Sequence, residues 1–217
     1  PAQYFQVINI KIDIQDINDN KPTFPVKELV LEISEAAQPG ATYNVPAATD
    51  PDSEKYSIKY YELITDTGKF GLTESRSGDG SVDLKLKLRE RLDREQVGFY
   101  QVTILAHDGG IPPKLGSLVI NITVTDANDN DPVFANSTFE VSVPEDMPLN
   151  RTVTRILAYD TDTGPNGRIT YGFSRRTQSN YGSLFGIRPN TGEIYLKKPL
   201  NADRHETIYH LGVTAQD

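Results

Sequence analysis

The sequence predicts an all-β chain of tandem sandwich repeats, and three observations predict it. Apolar and polar residues alternate at period two along several stretches. Clusters of glycine, asparagine and aspartate punctuate those stretches, with no amphipathic helix of useful length between them. A set of residues then recurs at a constant offset of 110 positions. Period-two alternation of β-branched and aromatic residues marks antiparallel strands buried on one face. Repeats of about 100 residues with about seven short strands fit an immunoglobulin-like Greek-key β-sandwich. Each is large enough to fold as a separate bead.

Residues 1–20 read as the C-terminal strand and linker of a preceding repeat. Ile8, Ile10, Ile12 and Ile14 alternate with Val7, Asn9, Lys11 and Asp13, and the string Asp16-Ile17-Asn18-Asp19-Asn20 follows. Residues 21–130 read as a complete repeat, whose last strand alternates Leu118, Ile120, Ile122 and Val124 with Asn121, Thr123 and Thr125. The string then returns as Asp126-Ala127-Asn128-Asp129-Asn130. Residues 131–217 read as a third repeat, opening with Phe139, Val141 and Val143 against Glu140 and Ser142 and expected to lack its last strand. On that reading the chain is a piece of a longer array. Gly78-Asp79-Gly80, Gly109-Gly110 and Asn190-Thr191-Gly192 supply turns. The same offset carries Pro22 to Pro132, Phe24 to Phe134, Glu35 to Glu145, Asp50 to Asp160, Asp52 to Asp162 and Asp93 to Asp203, while Asp108 meets Asp217 at 109. One matched string proves little; matches spread along the whole offset make a repeat.

Composition narrows the function. No apolar run among the 217 residues approaches the roughly 18 that span a bilayer. Pro1 opens straight into alternation rather than into a charged-then-apolar leader, so the chain is cytosolic or cut from a longer exported protein. Cysteine is absent, which removes disulfides, thiolate nucleophiles and thiolate zinc ligands. Large secreted domains fold without disulfides, so this leaves the compartment open. Acids outnumber bases by 30 to 22, a net charge of −8, and nucleic acid is disfavoured as a partner.

The acids are clustered. Strand ends converge at the two poles of a sandwich, which predicts Glu35, Asp93, Glu95 and Asp126 at the bottom of the complete repeat. Asp160, Asp162 and Asp217 are expected at the top of the next, with Asn128, Asp129 and Asn130 between. Two carboxylates about 4 Å apart repel by roughly 4 kcal/mol at an effective dielectric near 20. Such a crowd stays compact only around cations, and hard oxygen donors suit calcium rather than zinc. The EF-hand alternative fails: Asp16-x-Asn18-x-Asn20 imitates its start, but Lys21 and Lys27 stand at the glycine and glutamate positions, and Asp131 and Ser137 in the second copy.

The linker D-x-N-D-N-x-P, the L-D-R-E of Leu92 to Glu95, the A-x-D-x-G of Ala106 to Gly110, Pro144-Glu145-Asp146 and the D-x-D-x-G-x-N-G of Asp160 to Gly167 together resemble the signature of cadherin repeats. The resemblance covers essentially the whole chain. It implies three calcium ions per complete repeat junction. Glu35, Asp93, Glu95, Asp126 and Asp129 would ligate two of them, helped by Asp162 and the Ala127 carbonyl. Asn128, Asp160, Asp162 and Asp217 would hold the third, with the carbonyls of Asn130 and Asn166. The first junction would use Asp16, Asn18, Asp19, Asp50, Asp52 and Asp108, with the carbonyls of Ile17, Asn20 and Tyr56. Its upstream acids would lie before Pro1, so it is expected to be incomplete. Tyr56 replaces an asparagine of the pattern. Downstream, Glu145 would serve a further junction whose D-R-E reads Asp203-Arg204-His205, with Glu206 one place late.

The opening P-x-x-x-F-Q-V, through Phe5, Gln6 and Val7, and the run from Phe24 to Asp52 are similar to protocadherins. That resemblance implies calcium-dependent, homophilic cell–cell adhesion and recognition, at the extracellular face of the plasma membrane, by a membrane-anchored receptor. The partner would be a cadherin ectodomain of the same kind on an opposed cell, with repeat two facing repeat three. A calcium-rigidified spacer or a heterophilic receptor segment is the alternative. No small-molecule substrate is expected and no enzyme, because no acid–base pair is left over. His107, His205 and His210 lack triad partners and read as surface or packing residues. Asn121, Asn136 and Asn150 head glycosylation sequons. Tyr60, Tyr61, Phe99 and Tyr171 read as core or strand residues, with any exposed one available to an interface.

Overall fold

The alternation in Phe99–His107 and Leu115–Thr125 determines the fold of the first half. Tyr100, Val102, Ile104 and Ala106 point one way and pair across to Ile122, Ile120, Leu118 and Gly116, all buried, while the residues between them face out. The computed structural model describes residues 6–65, 67–78, 81–203 and 207–217, which form two compact units, Pro1–Thr125 and Asp126–Asp217.

Unit 1 contains β1 (Glu28–Ser34), β2 (Thr42–Val45), β3 (Tyr60–Ile64), β4 (Phe70–Arg76), β5 (Val82–Leu88), β6 (Phe99–His107) and β7 (Leu115–Thr125). One sheet has the order β1-β7-β6-β3, the other β2-β5-β4. All pairings are antiparallel except β1 on β7, whose register runs from Glu28↔Val119 to Ser34↔Thr125. Leu84, Leu86 and Leu88 of β5 and Phe70 of β4 meet Ile104, Ile120 and Ile122 from the facing sheet in one apolar core. The Phe70 and Tyr100 rings meet edge-on at 5.4 Å. This is the predicted sandwich.

Unit 2 contains β8 (Val133–Phe134), β9 (Thr152–Arg155), β10 (Ala158–Tyr159), β11 (Thr170–Phe173), α1 (Arg175–Tyr181), β12 (Phe185–Ile187), β13 (Glu193–Leu196) and β14 (Val213–Gln216). Its strands repeat the plan of unit 1. Val133 pairs with Tyr159 as Thr23 bridges Thr49, and β11 pairs with β14 as β3 pairs with β6. Tyr171 bonds both backbone groups of Ala158, as Tyr61 does those of Ala48. Ile156, Phe185, Ile194 and Leu196 centre the core.

Two expectations need correction. Residues 6–14 form no strand, and Val7, Ile8, Ile10, Ile12 and Ile14 are between 73% and 94% exposed. Residues 139–143 form none either, with Phe139 and Val141 exposed. Alternation declares a strand, but a strand exists only with a neighbour to take its hydrogen bonds. Among the described residues nothing pairs with 6–14. In unit 1 the counterpart of 139–143 is β1, which leans on β7, and the positions matching β7 carry numbers above 217. Unit 2 also contains a short helix, α1, in a chain read as having no amphipathic helix of useful length. Its seven residues are too few to carry an apolar stripe. It is held instead by a cap: the Ser174 hydroxyl accepts the Thr177 N–H at 3.3 Å, and the buried Thr177 hydroxyl accepts the Gly212 N–H at 2.8 Å. The turn residues Asp79 and Gly80, the Arg204-His205-Glu206 run and the opening Pro1 and Phe5 lie outside the described residues.

Candidate metal centres

Strand direction brings Glu35, Asp93 and Glu95 together. β1 and β7 run parallel and finish side by side at Ser34 and Thr125, and antiparallel β6 starts from that same end at Phe99. Glu35 follows β1 directly, and Asp93 to Glu95 precede β6. One carboxylate oxygen from each of Glu35, Asp93 and Glu95 lies within 4.8 Å of the others. Glu35 is buried and accepts the Arg94 backbone N–H at 2.7 Å. Asp93 accepts the Gln96 backbone N–H at 3.0 Å, and the Arg94 guanidinium pairs with Glu95. Three acids share this space with the Arg94 guanidinium.

The opposite end of the same sheet gathers Asp16, Asn18, Asn20, Asp50, Asp52 and Asp108. Asn20 donates its backbone N–H to Asp52 at 3.2 Å and its amide at 2.6 Å, and the Asp52 N–H returns to Asp50 at 3.1 Å. Asp16 accepts the Ser53 N–H at 2.8 Å, which holds its carboxyl below the ordinary value. Asp19 accepts the Asn20 amide at 2.8 Å and donates its N–H to the Ile17 carbonyl at 2.9 Å. Asp108 accepts from Gly110 and Lys114 N–H groups at 2.9 and 2.8 Å and from the Asn18 amide at 2.9 Å. Burial pushes the Asp108 carboxyl up, but those donors and the Lys114 charge together hold it below its usual value. Burial dominates at Asp50, whose carboxyl is pushed up, with the neighbouring charges of Asp52 and Asp108 adding to the rise. Gly110 is required here, because a Cβ would collide with the Asn18 amide.

Unit 2 reproduces this network 110 residues on. Asn130 grips Asp162 at 3.3 and 2.6 Å, the Asp162 N–H reaches Asp160 at 2.9 Å, and Asp129 accepts the Asn130 amide at 2.9 Å. Asp126 accepts the Thr163 N–H at 3.1 Å and the Asn166 amide at 3.0 Å. Gly167 lets the loop pass the Asp162 carbonyl, where a Cβ would clash. Asp160, Asp162 and Asp217 each bring an oxygen within 4.8 Å of the others.

Among the described residues, the buried side-chain polar atoms without a hydrogen bond are Asn18 Oδ1, Asp50 Oδ2 and Asp160 Oδ2. All three are oxygens, and two occupy repeat-equivalent positions. A buried acceptor left without a donor costs about 1–3 kcal/mol. A hard cation satisfies such an oxygen without supplying a proton, so the donor set fits calcium.

A cadherin-domain profile matches residues 29–125 and 139–217. The chain belongs to the cadherin family. Human Protocadherin-17 is 38% identical over 213 residues, covering 98% of this chain and 18% of that protein. The mouse clustered PcdhgC3 EC1-3 structure superposes with a TM-score of 0.83 at 40% identity, covering 87% of this chain and 60% of that one. The Protocadherin Gamma B2 structure of extracellular cadherin domains 1-5 gives 0.86 at 38% identity, over 94% and 38%. This chain is therefore most like a protocadherin ectodomain segment, of an adhesion-type family, and spans under a fifth of the curated relative's length.

Within this cadherin chain the remaining predicted ligands fall as follows. The Tyr56 carbonyl accepts the Gly109 N–H at 3.2 Å, which leaves its second lone pair for a cation. Ala127 and Asn128 lie in the segment joining β7 to β8. Glu145 accepts the Ala202 N–H at 2.9 Å, whereas its counterpart Glu35 takes that of Arg94. Lys114 was not among the candidates: its Nζ donates to the Asn18 carbonyl at 3.0 Å, placing an ammonium beside the first acidic set. The repeat conceals it, because its counterpart would be numbered above 217.

Proposed function

We propose that the chain is a calcium-stiffened segment of a protocadherin-like receptor that mediates homophilic cell–cell recognition at the extracellular face of the plasma membrane. The duplicated acidic network, with a buried unbonded oxygen on both Asp50 and Asp160, carries the reading. Glu35, Asp93, Glu95, Asp126 and Asp129 hold calcium, together with the Ala127 carbonyl. Asn128, Asp160, Asp162 and Asp217 also hold it, together with the carbonyls of Asn130 and Asn166.

The chemistry is electrostatic. Bound calcium neutralises the carboxylates, and the chain's own groups orient them: the Arg94 N–H aims Glu35, the Gln96 N–H aims Asp93, and Asn130 aims Asp162. Stiffened repeats then present their sandwich faces to a second copy on an opposed cell.

A calcium titration followed by sedimentation velocity, with and without chelator, tests this. Calcium-dependent stiffening with dimerisation is the expected result. Stiffening with a strict monomer would leave a spacer or heterophilic segment, and no calcium response would overturn the reading.

A further inference from the structure

The outer face of the β1-β7-β6-β3 sheet joins a sequon to exposed apolar side chains. In β7, Ile122 is fully buried, so its neighbours Asn121 and Thr123 both point outward. Asn121 stands opposite Val30 on β1 and Gln101 on β6, and Thr123 stands opposite Phe99 on β6. Val30 is 66% exposed and Phe99 53%. Directly paired and diagonal residues on one sheet face lie about 5–8 Å apart, so Asn121 sits between these two hydrophobic groups.

The Asn121 amide is arranged for modification. Its Oδ1 accepts the Gln101 amide at 2.8 Å, which fixes the plane of the side chain. Its Nδ2 makes no hydrogen bond among the described residues. Nδ2 is the atom that an N-linked sugar joins, and the hydroxyl of Thr123 completes the acceptor sequence.

We infer that Asn121 carries an N-linked glycan whose innermost sugar covers Val30 and Phe99, making this sheet a sugar-shielded face. The step takes a polyprenyl-diphosphate-linked oligosaccharide as donor. A bond forms between Nδ2 and the anomeric carbon, the bond from that carbon to the diphosphate oxygen breaks, polyprenyl diphosphate leaves, and the amide loses one proton to a base. An apolar sheet face between strand partners is otherwise a docking liability. The sugar's C–H face satisfies it while its hydroxyls face water. Homophilic contacts of unit 1 then fall to its other surfaces, among them the β2-β5-β4 sheet. The inference rests on the extracellular reading, because glycan transfer occurs in the secretory pathway.

The test is to secrete the 217-residue chain from mammalian cells behind a signal peptide and map its glycopeptides by mass spectrometry, before and after peptide N-glycosidase. The expected result is a glycan on Asn121, with the asparagine converted to aspartate by the enzyme. Asn121→Gln and Thr123→Ala should each raise binding of an apolar fluorescent dye several-fold, and adding Val30→Ser and Phe99→Ser should cancel the rise. A bare Asn121 in protein whose Asn136 or Asn150 is glycosylated overturns the inference while leaving the extracellular reading intact. Protein secreted with no sequon modified overturns it too, and counts against the extracellular reading as well. An occupied Asn121 whose removal leaves dye binding unchanged overturns the covering role.

Discussion

Asn130 grips Asp162 through both carboxylate oxygens, with its backbone N–H on Oδ2 at 3.3 Å and its amide on Oδ1 at 2.6 Å. Asp162 is buried, so the amide replaces water that cannot reach it. Asn20 and Asp52 repeat the grip in unit 1. Hydrogen bonds to a charged group are worth about 1.5–3 kcal/mol. Asn130→Ala is therefore expected to lower the melting temperature in chelator, with a smaller loss in calcium, where the metal takes over the oxygen. Calorimetry under both conditions checks this; equal losses would mean that Asp162 is held by packing instead.

Glu35→Gln should change sign with calcium. Glu35 shares its space with Asp93 and Glu95, and glutamine retains an oxygen for the Arg94 N–H. In chelator the variant loses like-charge repulsion, so its melting temperature is expected to equal or exceed that of the natural chain. In calcium it loses a charged ligand, and its calcium midpoint should weaken by about 10-fold or more, roughly 1.4 kcal/mol or above. Melting curves that shift the same way in both conditions would contradict a cation-binding role.

How far the sequence discloses this site depends on what kind of signal each residue leaves. Asp50 and Asp160 are legible because an acid that recurs at a fixed offset has no reason to do so except a shared duty, and the structure adds the identical bonds from Asp52 and Asp162. Lys114 leaves no such trace: one lysine after two prolines looks like surface, and only folding brings its Nζ to the Asn18 carbonyl. The strands divide in the same way. Leu118 to Val124 and Ile8 to Ile14 alternate equally well, yet only the former finds neighbours, since periodicity reports which face a strand would bury and not what it pairs with. The helix at Arg175–Tyr181 rests on the Ser174 cap and on Thr177 meeting Gly212, a contact 35 residues away in sequence.

Lys114 should tune the first acidic set. Its ammonium lies on the Asn18 carbonyl and its charge acts on both Asp50 and Asp108. A fixed positive charge opposes a second cation nearby, although solvent and salt weaken the effect for a half-buried lysine. Lys114→Met is expected to tighten calcium or terbium binding at this set by about 3- to 10-fold, on the scale of roughly 1 kcal/mol. Terbium luminescence in a Glu35→Gln, Asp160→Asn background reads the first set in isolation. Unchanged or weaker binding would show that Lys114 acts by holding Asn18 in place.

Tyr61 predicts how stability falls in alkali. Its hydroxyl accepts the Ala48 N–H at 3.1 Å and donates to the Ala48 carbonyl at 3.4 Å. Burial raises its pKa above the ordinary 10.0, against a smaller pull from the Ala48 bond. A phenol whose folded pKa lies above its unfolded one stabilises the fold fully below the unfolded value, and that contribution is lost as pH climbs through the folded value. Unfolding free energy should therefore hold steady near about pH 8 and decline above about pH 10. Burial raises Tyr43 and Tyr100 likewise, so Tyr61→Phe should flatten this decline without abolishing it. At neutral pH the same change leaves the Ala48 N–H short of its acceptor and should cost about 1–2 kcal/mol. Urea unfolding at the two pH values separates the effects, and an alkaline slope identical to that of the natural chain would assign the decline to other groups.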